Sequence, residues 1–296
     1  MKTIASPLVL VAMLASSSAL AAQPPPAGAA KATLPPAAIA SAPPVARGHA
    51  PVNGLRLYYE VHGPAGGTPL VLLHGGDPAI ETSWARVLPA LARTRRVIAF
   101  DQQGHGRTAD ADRPFTFEGS ADDAAALLAH LKIAKADLMG FSNGANIAMQ
   151  VAIRHPELVR RLVLASGMVK RDGLRPEFWQ GMQKAKLEDM PPHLAEAYRR
   201  TSPHPERLPS FFQKSVERML GFRDWPEAAL RSIAAPALVV AGDADIVRPE
   251  HAVEMARLLP HARLAILPLT DHEGVVFARA GWLVPMVEAF LDGDLR

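Results

Sequence analysis

The stretch Gly140-Phe141-Ser142-Asn143-Gly144 places a serine between two glycines in the pattern G-x-S-x-G. It joins a predicted strand over residues 136–141 to a predicted helix over residues 143–155. A turn this sharp needs small flanking residues because strand and helix pass close together, and it lifts the serine hydroxyl clear of the sheet. It also places the Asn143 N–H at a helix N-terminus, where an oxyanion can be stabilised. The pattern therefore predicts Ser142 as a nucleophile.

A serine nucleophile needs a histidine base, and the base needs an acid that orients it and stabilises its cation. In the architecture that this turn predicts, the acid follows a late strand and the histidine follows the last strand. The predicted strand 237–241 is followed by Asp243 and Asp245, and the predicted strand 262–267 is followed by His272. The chain order Ser…Asp…His is thus complete, with two candidate acids.

The elements that must position these residues alternate between strand and helix patterns. Strands are predicted over 55–61, 69–73, 96–100, 136–141, 159–165, 237–241 and 262–267, and helices over 84–92, 120–131, 143–155, 249–259 and 282–291. Such alternation favours an α/β fold with a mostly parallel central sheet flanked by helices. We assign residues 49–166 and 233–296 to this core.

Residues 167–232 interrupt the alternation and predict an inserted helical cap. They lack strand patterning, are broken by prolines, and contain seven aromatic residues: Phe178, Trp179, Tyr198, Phe211, Phe212, Phe222 and Trp225. Most of these rings are expected to form the core of the cap. An insertion at this point would roof Ser142, so some rings, together with Met182, Met190 and Met219, are expected to line an apolar acyl pocket.

The N-terminus predicts export to the periplasm or the medium of a bacterium. Residues 1–21 combine a short positive region, an apolar run and the small-residue site Ala19-Leu20-Ala21, which is typical of a secretory signal peptide. Its short apolar run and small-residue end disfavour an uncleaved membrane anchor. Residues 22–48 are rich in Pro and Ala and predict a disordered tether. The chain has no cysteine, which excludes a lipoprotein anchor and disulfides.

Composition excludes several other classes of function. Hydrophobic residues make up 49% of the chain, charged residues 21%, and the net charge is only +3, so nothing indicates a nucleic-acid partner. No metal-ligand cluster, phosphate loop or cofactor fingerprint is present, and Gly104-His105-Gly106 is a tight turn rather than a dinucleotide motif. We predict neither a cofactor nor a bound metal, and the sequence does not indicate an oligomeric state.

From about residue 54 to residue 292 the chain resembles the α/β-hydrolase superfamily, in its cap-bearing, single-domain serine esterase and lactonase-like branch. Five ordered motifs carry the resemblance: His74-Gly75-Gly76, Asp101-Gln102-Gln103-Gly104-His105-Gly106-Arg107, the turn at Ser142, Gly242-Asp243-Ala244-Asp245, and His272. Together they imply the α/β-hydrolase fold with a helical cap, and they indicate much less about the substrate.

The resemblance also implies individual roles. It makes Ser142 the nucleophile, His272 the general base and Asp245 the acid, with Asp243 as the alternative acid. The N–H groups of Gly76 and Asn143 would form the oxyanion hole. Many relatives have Met or Gln where this chain has Asn143, whose side-chain amide could reach the pocket. His74 and His105 would have structural roles beside the site.

The implied function is that of an exported serine hydrolase that cleaves carboxylic esters, including lactones, through an acyl-enzyme. Its partner would be a small-molecule ester or lactone with an apolar acyl group. Aminopeptidase, C–C bond hydrolase and perhydrolase activities use the same triad and remain alternatives. A non-catalytic ligand-binding protein on this fold is the alternative from another class, and the complete triad argues against it.

Overall fold

The computed structural model describes residues 42–293, so the predicted signal peptide and most of the predicted tether lie outside the described residues. The strands are β1 (Ala46–Val52), β2 (Leu55–His62), β3 (Leu70–Leu73), β4 (Val97–Phe100), β5 (Ala136–Phe141), β6 (Val159–Ala165), β7 (Ala237–Gly242) and β8 (Ala262–Leu267). The helices are α1 (Ile80–Trp84), α2 (Leu88–Leu91), α3 (Phe117–His130), α4 (Asn143–Arg154), α5 (Pro176–Lys184), α6 (Pro192–Thr201), α7 (Leu208–Leu220), α8 (Glu227–Arg231), α9 (Pro249–Leu258) and α10 (Ala280–Asp292).

All eight strands form one sheet in the order β1-β2-β4-β3-β5-β6-β7-β8. β2 runs antiparallel to both of its neighbours, and every other adjacent pair is parallel. The predicted fold class, a mostly parallel sheet flanked by helices, is confirmed. Because the carboxyl ends of β3 to β8 lie along the same edge of the sheet, the loops that follow them are gathered there.

Apolar side chains cover both faces of the sheet. Successive residues of β3 alternate between the two, with Val71 and Leu73 in one buried cluster and Leu70 and Leu72 in the other. A parallel strand buried on both faces reads as a continuous apolar run, which is why Leu70–Leu73 has no polar residue. No helix within residues 42–293 is long and apolar enough to cross a bilayer.

The structure differs from the predicted elements at β1, which the sequence patterns did not indicate. β1 begins at Ala46, so three residues that we assigned to the tether belong to the sheet. Asn53 and Gly54, both with positive φ, connect β1 to β2 as a two-residue hairpin turn. An Asn-Gly pair is a strong hairpin signal, and Pro51 is tolerated because β1 is an edge strand.

The single helix predicted over 84–92 is instead two short helices, α1 and α2. Pro89 lies in the first turn of α2, where the missing N–H of proline costs no helical hydrogen bond. Proline at this position favours the start of a new helix, so the continuous pattern does not become one continuous helix.

The segment between β6 and β7 contains α5, α6, α7 and α8. Its beginning is held to the core by buried hydrogen bonds. The side chain of Asn146 on α4 donates to the carbonyl of Met168 and accepts from its N–H, at 2.7 and 3.1 Å. The N–H of Val169 donates to Nε2 of His251 on α9 at 3.0 Å. These contacts fix the inserted segment beside the carboxyl edge of the sheet.

Candidate active site

Ser142 lies in a strained turn between β5 and α4. Its φ is 53° and its ψ is −121°. This conformation is unfavourable for any residue that has a Cβ atom. A Cβ at Gly140 would overlap the Gly144 carbonyl, and a Cβ at Gly144 would overlap the Leu73 carbonyl. The two glycines of the motif are therefore required by close approach of β5, α4 and β3, and the turn directs Ser142 away from the sheet.

The structure brings Ser142, His272 and Asp245 into one hydrogen-bonded row. Nε2 of His272 lies 3.0 Å from Oγ of Ser142, and Nδ1 of His272 lies 2.6 Å from Oδ1 of Asp245. An ionised carboxylate only accepts, so Nδ1 carries the proton and Nε2 is free to accept from the serine hydroxyl. Ser142, His272 and Asp245 are 8%, 4% and 0% exposed, so the row is shielded from water.

Opposite charges adjust both titrating groups. Burial alone would raise the pKa of Asp245, but the charge of His272 and hydrogen bonds from His272, Ser166 and Val247 outweigh it and lower that pKa. Burial alone would lower the pKa of His272, but the charge and hydrogen bond of Asp245 outweigh it and raise that pKa. The pair therefore stabilises a carboxylate beside an imidazolium, which is the charge state formed when His272 takes a proton from Ser142.

Asp243, the alternative acid, lies elsewhere. Its carboxylate accepts hydrogen bonds from the N–H groups of Leu269 and Thr270, both at 2.9 Å. These bonds hold the loop between β8 and His272. Asp243 is exposed, whereas Asp245 is fully buried against the imidazole. The arrangement gives the orienting position to Asp245 and a loop-bracing position to Asp243.

The two residues predicted for the oxyanion hole lie beside the serine. Asn143 is the first residue of α4, and the first N–H groups of a helix have no partner within it. Gly76 follows β3 directly after Gly75, and a Cβ at Gly75 would lie 3.4 Å from Cβ of Ser142. The loop after β3 thus passes next to the nucleophile, and the helix end and this loop can supply main-chain donors to an oxyanion.

His74 and His105 are buried against each other, with ring centroids 5.0 Å apart. Nε2 of His74 accepts from the N–H of Gln102, so Nδ1 donates to the Gly75 carbonyl. Nδ1 of His105 lies 2.7 Å from the Gln103 carbonyl and therefore carries its proton. Burial lowers the pKa of His74 to about 3 and that of His105 well below its usual value. Both rings are neutral braces of the loops after β3 and β4.

Two further polar residues at the site were not singled out from the sequence. Oγ of Ser166, the residue after β6, donates to Oδ2 of Asp245 at 2.6 Å. Asp77, in the loop after β3, accepts from Ser83 at 2.8 Å, and burial raises its pKa to about 6. Both residues follow the carboxyl end of a strand, and this position in the sequence could have identified them as candidates. Within residues 42–293 no group of three or more His, Cys, Asp or Glu side chains is arranged to hold a metal ion.

Comparisons with known proteins agree with this fold. A family model described as alpha/beta hydrolase fold matches residues 68–227. The chain is 32% identical over 238 residues, 72% of its length, to 2-hydroxymuconate semialdehyde hydrolase from Pseudomonas sp. (strain CF600), of which it covers 83%.

Two solved structures have similar folds. The enol-lactonase from Burkholderia xenovorans LB400 superposes with a TM-score of 0.66 and 26% identity, over 83% of this chain and 100% of that one. Est816, described as an N-acyl homoserine lactone degrading enzyme, superposes with a TM-score of 0.65 and 25% identity, over 82% of this chain and 99% of that one. The proteins similar to this chain thus act on more than one kind of bond.

Proposed function

The chain belongs to the α/β-hydrolase fold family, and on that premise we propose that it is a serine hydrolase of carboxylic esters, including lactones. The observation that carries the proposal is the continuous row from Oγ of Ser142 through His272 to Asp245, with both hydrogen bonds in place. A nucleophile, a base and an orienting acid in this geometry are the minimum machinery for acyl transfer.

In the proposed mechanism, Ser142 attacks the substrate carbonyl while Nε2 of His272 takes its proton. The oxyanion that forms is stabilised by the N–H groups of Asn143 and Gly76. His272 then gives the proton to the leaving alkoxide, and Ser142 keeps the acyl group as an ester. A water molecule, deprotonated by His272, attacks that ester and releases the acid. Asp245 holds the imidazole in the required tautomer throughout.

Two features support an ester or lactone as the substrate. Two structural relatives carry names of lactone-acting enzymes. The inserted segment is also rich in apolar side chains beside the loop after β4, with Met190, Tyr198 and Phe211 packed together with Phe115. We therefore propose an acyl group that is apolar next to the scissile carbonyl.

A C–C bond hydrolase is the second candidate, and the similarity to 2-hydroxymuconate semialdehyde hydrolase favours it. The same serine and histidine would act, but the leaving group would be a carbanion equivalent that must be protonated at carbon. Amide hydrolysis is a third use of this row. These candidates differ in the leaving group, so one substrate panel separates them.

The test measures kcat/KM for aryl esters of two to ten acyl carbons, medium-ring lactones, matched anilides and 2-hydroxymuconate semialdehyde. We expect esters or lactones to be turned over fastest, with a maximum at an intermediate acyl length once the pocket is filled. Fluorophosphonate should add one adduct by intact mass to the wild type and none to Ser142→Ala. Faster cleavage of the semialdehyde or of anilides would replace the ester proposal, and an adduct on Ser142→Ala would reject the nucleophile.

We also propose that the protein is exported. The support is the sequence of residues 1–21, which lies outside the described structure. N-terminal sequencing of protein recovered from the periplasm or the medium should begin near Ala22. Recovery of the intact N-terminus in the membrane fraction would favour an anchor instead.

A further inference from the structure

Arg218, on α7, is a cation inside the protein. It is only 6% exposed. It lies seven residues after Phe211, two helical turns along the same face of α7. The Phe211 ring packs on His105 at a centroid distance of 4.8 Å, so this face of α7 points at the loop after β4. Arg218 therefore points from the cap towards the core.

The guanidinium of Arg218 lacks the partners that a buried cation normally has. Among the described residues, its Nε and Nη2 have no hydrogen-bond acceptor. Burial lowers the pKa of Arg218 to about 10, and within residues 42–293 no carboxylate lies close enough to counteract the effect. The rings of Phe117 and Phe115 lie 5.5 and 5.7 Å from its central carbon. Aromatic rings stabilise a cation, but they offer the in-plane N–H groups no acceptor.

The two unpaired nitrogens of Arg218 lie where a carboxylate could bind both of them. Nε and Nη2 lie on one edge of the guanidinium, and their N–H groups point in parallel. This edge matches the two oxygens of a carboxylate, which arginine binds with two hydrogen bonds. A buried, unpaired edge of this kind costs free energy, and a planar anion bound to it would relieve that cost.

The position of Arg218 relates it to the acyl side of the proposed reaction. The guanidinium of Arg218 lies over the Phe115 ring, which packs on His105 at a centroid distance of 5.3 Å. His105 packs on His74, and His74 bonds to Gly75, which lies against Ser142. The leaving group must lie by His272, which protonates it, and we assign the acyl group to the side of Ser142 that adjoins Gly75 and these rings.

We propose that Arg218 binds a carboxylate carried by the acyl part of the substrate. The preferred acyl group is then apolar next to the scissile carbonyl, where the cap aromatics surround it, and ends in a carboxylate. This inference rests on the proposed ester hydrolase function. It changes one expectation drawn from the composition of the cap, because a wholly apolar acyl pocket would reject such a substrate.

The kinetic test compares charged and neutral acyl groups of equal length. The substrates are 4-nitrophenyl monoesters of succinic, glutaric and adipic acid, each paired with the 4-nitrophenyl ester of the unbranched monocarboxylic acid with the same number of carbons. Spontaneous hydrolysis is subtracted. We expect the wild type to prefer at least one monoester, and Arg218→Met to lower kcat/KM for it by about 10- to 100-fold. For the neutral esters, Arg218→Met should change kcat/KM by less than about threefold.

Two further variants sharpen the comparison. Arg218→Lys keeps the charge but not the two-pronged edge, so it should retain part of the preference, and it serves if the Met variant does not fold. Arg199→Met, on an exposed position of α6, is the matched control and should leave the preference unchanged. Equal losses for charged and neutral esters in the Arg218 variants would overturn the proposal, since they would indicate a purely structural role.

A binding measurement separates this inference from the hydrolase proposal. Glutarate, but not glutaramide, should raise the melting temperature of the wild type and of Arg199→Met, and should leave Arg218→Met unchanged. If no ester is turned over but the glutarate shift depends on Arg218, the hydrolase proposal fails and the carboxylate site stands. If glutarate gives no shift and the neutral esters are preferred, the site is rejected, and the guanidinium edge is satisfied by buried water alone.

Discussion

The triad and the Arg218 edge are equally buried, yet they differ in how their polar atoms are satisfied. In the triad, both nitrogens of His272 and both oxygens of Asp245 have partners, with Ser166 and the Val247 N–H completing the carboxylate. At Arg218, two buried N–H groups have no acceptor among the described residues. One site is complete before a substrate arrives, and the other is completed by an added group.

The difference indicates that the two sites have separate roles, one in the reaction and one in substrate binding. Satisfied buried polar groups are held in one geometry, which is what proton transfer between Ser142 and His272 requires. An unsatisfied buried cation discriminates strongly between ligands, because a matching anion relieves a cost that a neutral group leaves in place. On the proposed function, the core supplies the chemistry that every substrate shares, and Arg218 in the inserted segment selects among substrates.

The largest effect should follow from removing the nucleophile. Ser142→Ala deletes the hydroxyl but leaves the His272–Asp245 pair intact, so kcat for any ester should fall by about 10³-fold or more. Circular dichroism should show an unchanged fold, and binding of a slowly hydrolysed ester should persist. A variant with near wild-type turnover would mean that Ser142 is not the reacting group.

Replacing the acid should have the next largest effect and should depend on position. In Asp245→Asn, the side-chain amide can donate to Nδ1 of His272, which favours the wrong tautomer, so kcat should fall by about 10³- to 10⁴-fold. Asp243→Asn only weakens two loop hydrogen bonds and should cost less than about tenfold. Steady-state kinetics on one aryl ester measures both, and the reverse ranking would move the acid to Asp243.

A third comparison concerns stability and pairs Arg218 with a satisfied arginine. Nε of Arg160 donates to the fully buried Asp137 at 2.8 Å. Arg160→Met leaves that buried carboxylate without its partner and should lower the free energy of unfolding by about 3 kcal/mol. Arg218→Met removes an unpaired charge and should leave the free energy of unfolding unchanged or raise it. Urea unfolding of both variants checks this, and a large loss at Arg218 would reveal a partner that it already has.

The smallest effect concerns pH. His272 acts as a base only when neutral, and Asp245 raises its pKa, with further contributions from Asp77 and Glu273. The acid limb of kcat/KM should therefore lie above the pH at which an ordinary imidazole titrates. Asp77→Asn removes one raising charge, so the limb should move to lower pH by about a few tenths of a unit. Glu250→Gln, on an exposed side chain of α9, is the control and should not move it.

Much of the fold and of the triad could be predicted because local patterns carry them. The G-x-S-x-G turn, the buried runs and the acidic and histidine residues after β7 and β8 each require particular residue types within a few positions. The strand β1 was not predicted, because an edge strand that contains a proline has no clear pattern of apolar residues. The pair Asn53-Gly54 did indicate its hairpin turn.

What the sequence could not reveal depends on contacts between distant segments. Asp243 and Asp245 have equivalent local patterns, and only the packing of their loop decides which one meets His272. Arg218 is one of many basic residues in a cap of short helices, and its burial results from how α7 docks on the loop after β4. Whether a charged side chain has a partner is likewise a property of the folded protein.

The place where the cap enters the chain has a consequence for how such proteins diversify. β6 and β7 are adjacent and parallel, and a crossover between such neighbours needs only about a dozen residues. Beyond the first few residues, which bond to Asp245, Asn146 and His251, the connection can vary in length and shape without altering the register of any strand. A cap taken from a relative could therefore be grafted between Val169 and Ala237, so that Ser166, which donates to Asp245, stays in place with the reacting groups. Substrate range and catalytic power can thus be inherited, lost or engineered separately.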